Sequence, residues 1–281
     1  MKKSVLALSI IVATMFGGTA AAQPASKPAE DFKSSTAVDK KGVLTDIIRH
    51  KLAASAENIA DLIRLGLKDP DPAVREGALA AIVSRAAGVT FAPNSAAAAD
   101  WLRDRAAIQK LRPQTAAALR DQDERVRLEA ITALASLDFD AAAPELNVSR
   151  ATQALLIERF YRDASASVRA KIVNGFGTDS GVGSAPAQQL LRDAFQDRDY
   201  HVRHAASIGA LKLGDEGVQH LIEQLNDHNR AVRLRAGSVL SKAGSVASGH
   251  VADIQAALSR ERDPEVQQEL RAALSTIRHK E

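Results

Sequence analysis

The chain has 281 residues, of which 46% are hydrophobic and only 4% are aromatic, so it is apolar enough to bury a core, and its small aliphatic side chains favour packed helices over a β-sandwich or barrel. The net charge of +3 falls to +1 without Lys2 and Lys3, which excludes the strongly basic field of nucleic-acid-binding proteins. The sequence has no cysteine, which excludes disulfides and thiolate metal sites.

Residues 1–22 have the order of a secretory signal. Lys2 and Lys3 precede an apolar run of about a dozen residues, and small residues follow at Ala20 and Ala22, as at a signal cleavage site. A membrane-spanning helix needs about 20 apolar residues, so we expect cleavage after Ala22; an uncleaved anchor is the alternative. The leader predicts bacterial export to the periplasm or the medium, with no membrane insertion after cleavage.

Residues 23–42 are rich in Pro, Ser, Lys and Asp and show no hydrophobic periodicity. A segment of this composition cannot bury enough apolar surface to offset the entropy lost on ordering. We therefore expect a disordered linker here, followed by a helical domain at 43–281.

A short motif recurs six times in the helical domain. Each copy has an acidic residue, a helix N-cap residue two positions later, and a valine three positions after the cap. The valines are Val74, Val126, Val168, Val202, Val232 and Val266, and the N-cap residues are Asp71, Asp123, Ser165, Asp199, Asn229 and Asp263. Asp, Asn or Ser at an N-cap accepts a hydrogen bond from a first-turn amide, so the motif predicts the start of a helix.

An amphipathic segment before each motif predicts the first helix of a pair. These segments are about 59–67, 114–119, 151–161, 187–195, 218–225 and 251–258. One pair cannot bury its apolar face alone, whereas stacked pairs share a continuous core. We therefore expect an all-α, right-handed α-solenoid of about six helix pairs, with an inserted loop and extra helix at 88–112, where Trp101 lies, and a flexible glycine-rich loop at 174–186.

The acid, the valine and the arginine that follows the valine in five copies resemble the turn of the HEAT repeat family, including its subgroup of PBS-lyase HEAT-like repeats. The resemblance covers about residues 55–279. It implies an armadillo-like helical scaffold in which acids and arginines form a structural ladder between turns, with Gln267 ending the ladder. The ladder residues are Asp69, Arg75, Asp121, Arg127, Asp163, Arg169, Asp197, Arg203, Asp227 and Arg233.

Two patterns that could carry chemistry are weak. Residues 177–181 have the glycines of a serine-nucleophile turn, but no histidine is placed to act as its base, so we interpret them as a loop. The histidines His201, His204, His220 and His228 lack metal-site spacing, so solvated helix histidines are expected. We therefore expect no catalytic residue, no metal and no cofactor, and lyase activity does not follow from a shared fold.

The outward face of the second helices predicts a docking surface. Counting from each valine, positions 2, 3, 6 and 10 face outward; they include Glu76 and Glu129 early in the chain and Glu269 at its end. Between these acids lies a mildly basic strip, which we call the cationic strip. It consists of Lys171, His204, Lys212, Arg235 and Lys242. The strip predicts an acidic protein partner; an ordinary solvated face is the alternative.

The sequence therefore predicts an exported, non-enzymatic HEAT-repeat scaffold that binds protein. One alternative is a lyase-like or other enzyme on the same scaffold, which requires a deep polar pocket with convergent titratable groups. Another is a structural accessory subunit of an envelope complex, which requires a large exposed apolar patch at one solenoid end. Phe160, Tyr161 and Phe195 align with leucines of other repeats, so we expect them in the core rather than at an interface.

Overall fold

The computed structural model describes residues 27–86, 96–138, 149–178 and 184–278, and every regular element in these ranges is a helix. The chain divides into two compact units, Met1–Ala142 and Ala143–Glu281. The predicted signal peptide at 1–22 lies outside the described residues. Within the described ranges, no helix combines the length and the apolar character that crossing a membrane requires.

The described part of unit 1 forms three helix pairs. Its helices are α1 (Lys27–Ser34), α2 (Ala37–Ile48), α3 (Ala56–Gly66), α4 (Pro72–Ala86), α5 (Ala96–Gln109), α6 (Arg112–Ala118) and α7 (Glu124–Asp138). The second helices α2, α4 and α7 stack on one another, and the first helices α1, α3 and α5 do the same. Leu44, Ile63, Ile82 and Leu134 are fully buried, so the pairs share a core that no single pair could enclose.

The described part of unit 2 forms four helix pairs. Its helices are α8 (Arg150–Arg162), α9 (Ala166–Thr178), α10 (Ala185–Phe195), α11 (Tyr200–Gly209), α12 (Asp215–Gln224), α13 (Arg230–Ala243), α14 (Val251–Arg260) and α15 (Pro264–Arg278). Short 3-10 helices, Ala210–Leu213 and Gly244–His250, follow α11 and α13. The second helices α9, α11, α13 and α15 stack in chain order, which is the layered arrangement of an α-solenoid.

The repeated motif starts the second helices as the sequence predicts. All six valines are fully buried, with 0% of their surface exposed. The predicted N-cap residues accept first-turn hydrogen bonds; for example, the Asp199 side chain accepts from the N–H of His201 and the Asn229 side chain from the N–H of Ala231. The six-copy pattern is thus confirmed as the start of one repeated helix.

The prediction of a disordered linker at 23–42 is wrong for residues 27–42, which belong to helices α1 and α2. Phe32 on α1 is only 3% exposed, and the Thr36 side chain accepts a hydrogen bond from the N–H of Asp39 to start α2. Composition did not predict these helices, because their buried apolar residues, Phe32, Leu44 and Ile47, are few among charged and polar ones. The domain thus has an additional pair before the six predicted ones.

The helix expected within 88–112 is present, but it is not an extra one. Helix α5 packs on α3 and α4, which is the place of a first helix, and α6 continues it after a break at Lys110 and Leu111. Pro113 explains the break, because proline has no N–H to donate to the carbonyl four residues earlier and its ring clashes with that carbonyl. The first helix of this repeat is therefore a broken helix rather than an insertion.

The predicted flexible loop at 174–186 is shorter than expected. Helix α9 continues to Thr178 and so includes the first two residues of the pattern at 177–181, and α10 begins at Ala185; residues 179–183 lie outside the described residues. Gly177 is a packing residue, because a Cβ on it would lie 3.0 Å from the backbone nitrogen of Gly209. The glycine therefore permits close approach of α9 and α11 rather than marking a loop.

The three aromatic residues expected in the core differ. Phe160 and Phe195 are 4% and 3% exposed, which confirms the expectation, but Tyr161 is 54% exposed. The Tyr161 hydroxyl donates to Asp193 at 2.6 Å, and its ring contacts Phe160 edge-on with 5.2 Å between centroids. The expectation was wrong for Tyr161 because its polar hydroxyl reaches a carboxylate that a leucine could not use.

Candidate functional site

The acid that precedes each N-cap closes the turn between the two helices of a pair. In one turn, Asp121 accepts a hydrogen bond from the N–H of Asp123 at 2.9 Å; in another, Asp227 accepts from the N–H of Asn229 at 2.8 Å. The same bond recurs at the other described turns of the motif. One carboxylate oxygen of each acid thus accepts a local hydrogen bond, and the carboxylate can still accept from the side chain of a neighbour.

The arginine after the valine bridges two repeats. Arg203 Nη1 donates to the carbonyl oxygens of Asp197 and Arg198 in its own turn, at 2.9 and 3.1 Å. Its Nε and Nη2 donate to the carboxylate of Asp227 in the next turn, at 2.5 and 3.0 Å. Corresponding ion pairs join Arg75 to Asp121, Arg169 to Asp197 and Arg233 to Glu261.

The remaining ladder residues also lie at these turns. Arg127 donates to the carbonyl oxygens of Asp121 and Gln122, and buried Asp163 accepts from Arg159 at 2.6 Å. At the first described pair, Lys40 takes the arginine position and binds Asp69 at 2.7 Å. In the last pair, Gln267 keeps only the contact to the Glu261 carbonyl, at 2.6 Å.

The ladder carboxylates are charged at neutral pH. Burial alone would raise the pKa of Asp227, but the hydrogen bonds from Arg203 and from the Asn229 N–H, with the charge of Arg203, lower that pKa below its usual range. Burial and the corresponding partners act in the same way on the pKa values of Asp121, Asp197 and Glu261, which are also lowered. Arg75, Arg169, Arg203 and Arg233 are therefore each paired with a carboxylate and offer no free charge to a partner.

The cationic strip lies on three consecutive second helices of unit 2. Lys171 is on α9, His204 on α11, Lys212 on the 3-10 helix after α11, and Arg235 and Lys242 on α13. Helix α9 packs on α11, and α11 packs on α13. Lys212 and Lys242 are exposed, and the other three side chains are half-buried, so the strip residues are accessible on adjoining helices.

The strip residues occupy equivalent positions in the repeat. Lys171 and Arg235 each lie six residues after their N-caps, and Lys212 and Lys242 each lie thirteen residues after theirs. Seven helical residues rise about 10 Å and return to nearly the same face, and neighbouring helices lie about 8–10 Å apart. Arg235 and Lys242 therefore lie about 10 Å apart along α13, and Lys212 and Lys242 about 10 Å apart across neighbouring helices. Lys171 lies two helices away from Arg235, at about 20 Å.

No carboxylate interrupts this face. The segments 166–178, 200–213 and 230–243, all within the described ranges, contain neither Asp nor Glu. The other arginines there are held by acids of neighbouring turns: Arg169 by Asp197, Arg203 by Asp227, Arg233 by Glu261, and Arg230 by Asp263 and Glu265. Lys171, Arg235 and Lys242 form no ion pair with any described residue, so their charges are available.

One contact within the strip could not be read from the sequence. The Nε–H of Arg235 donates to Nε2 of His204 at 3.3 Å, across the packed helices α11 and α13. Burial and the charges of Arg235 and His201 lower the pKa of His204 below its usual value. At neutral pH His204 is thus an uncharged acceptor, and the available positive charge comes from Lys171, Arg235 and Lys242.

A pocket of about 360 Å³ opens elsewhere in unit 2, with Phe195, Arg203 and His220 in its wall. The rings of Phe195 and His220 stack with 4.6 Å between centroids, Arg203 is bound to Asp227, and His220 Nδ1 lies 3.3 Å from a Glu223 oxygen. The charged groups pair with one another inside the wall instead of converging on the open space. This arrangement differs from the one that the enzyme alternative requires.

The described residues also bear on a metal site and on the accessory-subunit alternative. Among the described residues, no group of three or more His, Asp or Glu side chains is placed to hold a metal ion. The exposed large apolar side chains of the described ranges are Val38, Leu102, Tyr161 and Val246. They lie on four separate elements and do not form the large end patch expected of an accessory subunit.

Comparisons with known proteins agree with this geometry. Residues 153–241 match the family model of HEAT repeats. The matched HEAT repeats run from α8 to α13 and include the ladder arginines Arg169, Arg203 and Arg233. None of the curated proteins matches the chain in sequence.

Solved structures show the same fold. The HEAT-like repeats protein of the archaeon Thermococcus onnurineus NA1 is 14% identical, with a TM-score of 0.51 over 92% of this chain and 99% of its own. Two engineered proteins, each 18% identical, have TM-scores of 0.52 and 0.51 over 79% and 90% of this chain and 97% and 68% of their own. The all-α solenoid and the resemblance to HEAT repeats are confirmed; the PBS-lyase subgroup stays a prediction.

Proposed function

We propose that the chain is an exported, non-enzymatic HEAT-repeat scaffold that binds an acidic protein segment on the cationic strip of unit 2. The observation that carries this proposal is the absence of any carboxylate from the strip's three stacked helix segments, while Lys171, Arg235 and Lys242 have no described ion-pair partner. A folded protein ordinarily mixes both signs of charge on its surface. A one-sign face favours a partner of the opposite sign and speeds its association.

The spacing of the strip suits a macromolecular partner. Because the positive groups of the strip lie about 10–20 Å apart, one small anion can contact only one or two of them. A segment that carries several carboxylates can contact most of them together, and the individually weak exposed pairs then add up. We therefore expect affinity to rise with the number of acids in the partner and to fall with salt.

A charge-reversal experiment tests the proposal. The probe is a labelled oligoaspartate peptide, with an oligolysine peptide as the opposite-charge probe, and binding is followed by fluorescence anisotropy. Lys171→Glu, Arg235→Glu and Lys242→Glu combined should weaken oligoaspartate binding at least about tenfold, because attraction becomes repulsion at three positions. Oligolysine should bind the unmodified protein negligibly.

The matched control combines Arg150→Glu, Arg260→Glu and Arg262→Glu, which changes the net charge by the same amount at three exposed positions outside the strip. Its affinity should change by no more than about twofold, since distant exposed charges are screened. Equal losses of oligoaspartate affinity in both variants would show that the effect comes from net charge alone. Unchanged binding in the strip variant would contradict the proposal.

Export is a separate part of the proposal. It is supported by the order of charge, apolar run and small residues in 1–22. Fractionation of the host followed by N-terminal sequencing should find the protein outside the cytoplasm with Gln23 as its first residue. Recovery of uncleaved protein from the cytoplasm would contradict export without affecting the strip.

A further inference from the structure

His204 occupies the centre of the cationic strip, but it is the one strip residue that gives the strip no charge at neutral pH. It lies on α11 between Lys171 of α9 and Arg235 of α13. The side chain is half-buried, and its Nε2 accepts the Nε–H of Arg235 at 3.3 Å. A ring nitrogen that accepts a hydrogen bond carries no proton, so the geometry of the unbound protein holds His204 neutral.

The charges of Arg235 and His201 disfavour protonation of His204. Arg235 faces it from α13, His201 lies one turn earlier on its own helix, and Lys171 and Lys212 stand on α9 and on the 3-10 helix after α11. On the first helix α10, Arg192 pairs with Glu216 and Asp193 accepts the hydroxyl hydrogen bond of Tyr161; neither is among the charged groups that act on His204. Among the described residues, no carboxylate acts on the unbound imidazole to stabilise its charged form.

An acidic partner would supply that carboxylate. A carboxylate that reaches Arg235 must come within a few ångströms of the imidazole, because the two side chains are in contact. An opposite charge within about 4–6 Å favours the charged form of a titratable group and moves its pKa by about 1–3 units. Because Nδ1 of the neutral ring already carries a hydrogen, the proton taken up from solvent goes onto Nε2, and the hydrogen bond from Arg235 Nε–H to Nε2 breaks. The bound carboxylate then accepts from both cations and stabilises the imidazolium that the unbound site disfavours.

We propose that His204 takes up a proton when an acidic segment binds, so that the cationic strip holds its partner more tightly as the pH falls. This proposal rests on the proposed function and specifies its regulation. The sign follows from linkage: a group whose pKa is higher in the complex than in the free protein makes binding stronger at lower pH. The effect lies between the pKa of the free His204, which is below about 6.5, and the higher pKa of the complex.

The test compares oligoaspartate binding at about pH 7.5 and about pH 5.5, the range in which histidine titrates. Aspartate, whose pKa is about 3.9, keeps its charge throughout this range. The unmodified protein should bind at least about fivefold more tightly at the lower pH, which requires a rise of about one pKa unit on binding. The ring resonances of His204, followed by NMR with and without peptide, should report the higher pKa directly.

The key variant is His204→Gln, whose side-chain oxygen can still accept the Arg235 hydrogen bond but cannot titrate. It should bind with little pH dependence and keep the affinity that the unmodified protein has at about pH 7.5. The matched control is His228→Gln, because the His228 side chain is 87% exposed at a turn outside the strip; it should keep the full pH dependence.

The outcomes separate the two proposals. Binding that is lost in the strip-reversal variant, yet independent of pH or equally pH-dependent in His204→Gln, would overturn the role of His204 and leave the proposed function standing. Failure of the unmodified protein to bind oligoaspartate at either pH would overturn both. An unchanged His204 titration on peptide binding would overturn the proton uptake even if affinity varied with pH.

Discussion

The second helices of units 1 and 2 share one framework and differ in the face they leave exposed. Six residues after the N-cap, unit 1 has Gly77 and Glu129, whereas unit 2 has Lys171 and Arg235 in two of its repeats. Thirteen residues after the cap, unit 1 has Ser84 and Ser136, whereas unit 2 has Lys212 and Lys242. In both units the buried valine and the turn bonds are the same.

The difference shows which residues serve the stack and which are available for recognition. Positions that face the neighbouring repeat are constrained by packing and by the ladder, so they recur in both units. Positions that face outward are free to vary; on α9, α11 and α13 of unit 2 they include cations and no carboxylate, whereas α15 has Glu269. Function in such a repeat is therefore sought in the departures from the pattern rather than in the pattern itself.

The largest expected effect tests the shared framework. Arg203→Ala and Arg75→Ala should each lower the free energy of unfolding by about 3 kcal/mol, because each leaves a mostly buried carboxylate without its partner. The side chains of Arg203 and Asp227 are 11% and 8% exposed, so solvent can replace little of the lost pair. Denaturation followed by circular dichroism measures the loss.

Arg262→Ala is the control for this prediction, because Arg262 is exposed; it should change stability by less than about 0.5 kcal/mol. A ladder variant that was no less stable than Arg262→Ala would mean that the ladder does not join the repeats.

Acid should destabilise unit 2 more than unit 1. Asp197, Asp227 and Glu261 of unit 2 have lowered pKa values, as does Asp121 of unit 1. A pKa lower in the folded than in the unfolded state gives stability that is complete above the unfolded value of about 4 and is lost as the pH falls through the folded value. At about 1 kcal/mol for each carboxylate, unit 2 should lose more stability below about pH 4.

Trp101 is the sole tryptophan, and it lies on α5 of unit 1, where the guanidinium of Arg105 covers its ring at 5.4 Å. Its fluorescence therefore reports on unit 1, while circular dichroism reports on both units. As the pH is lowered, the circular dichroism signal should begin to fall at a higher pH than the one at which the Trp101 fluorescence changes. The reverse order would show that the ladder does not govern acid stability.

A smaller loss of unfolding free energy is expected at the close contact between α9 and α11. A Cβ on Gly209 would lie 3.0 Å from the Cα of Gly177 and 3.0 Å from a methyl of Leu191. Gly209→Ala should therefore cost about 2 kcal/mol of unfolding free energy through overpacking. Gly249→Ala, whose Cβ would meet nothing within 4 Å, should be within about 0.5 kcal/mol of the unmodified protein; similar stabilities of the two variants would contradict the close packing.

The smallest effect concerns the first helices of unit 2. Tyr161→Phe removes the hydroxyl that donates to Asp193 but keeps the ring contact with Phe160. Because Tyr161 is 54% exposed, water can replace the lost bond, and stability should fall by less than about 1 kcal/mol. A loss above about 2 kcal/mol in urea denaturation would show that this exposed bond matters as much as the ladder.

The sequence predicts most of the fold because one physical requirement recurs in every repeat. A buried valine three residues after an N-cap needs the same turn each time, so six copies are easily recognised. The pair α1–α2 was not predicted because only part of the repeated motif remains in it. Thr36 is the cap, Lys40 takes the arginine position, and Leu44 and Ile47 are the buried residues. The spacing of these four residues is the signal from which the pair α1–α2 could have been predicted.

The candidate site was predicted in its residues but not in its interactions. Helical periodicity suffices to place Lys171, Arg235 and Lys242 on an outward face. It cannot show which arginines the ladder neutralises, because those partners come from the next turn. Nor can it show that Arg235 donates to His204, since that contact depends on how α11 and α13 pack and on two side-chain conformations.

Zero-length crosslinking of an oligoaspartate peptide with a carbodiimide tests the central claim most directly, because the reagent joins a carboxylate only to an amine in contact with it. Unit 1 has its own exposed lysines, Lys51, Lys68 and Lys110, which serve as internal controls. We predict that mass spectrometry finds the peptide on Lys171 and Lys242. Crosslinks spread evenly over the exposed lysines of both units, or concentrated on unit 1, would contradict the account.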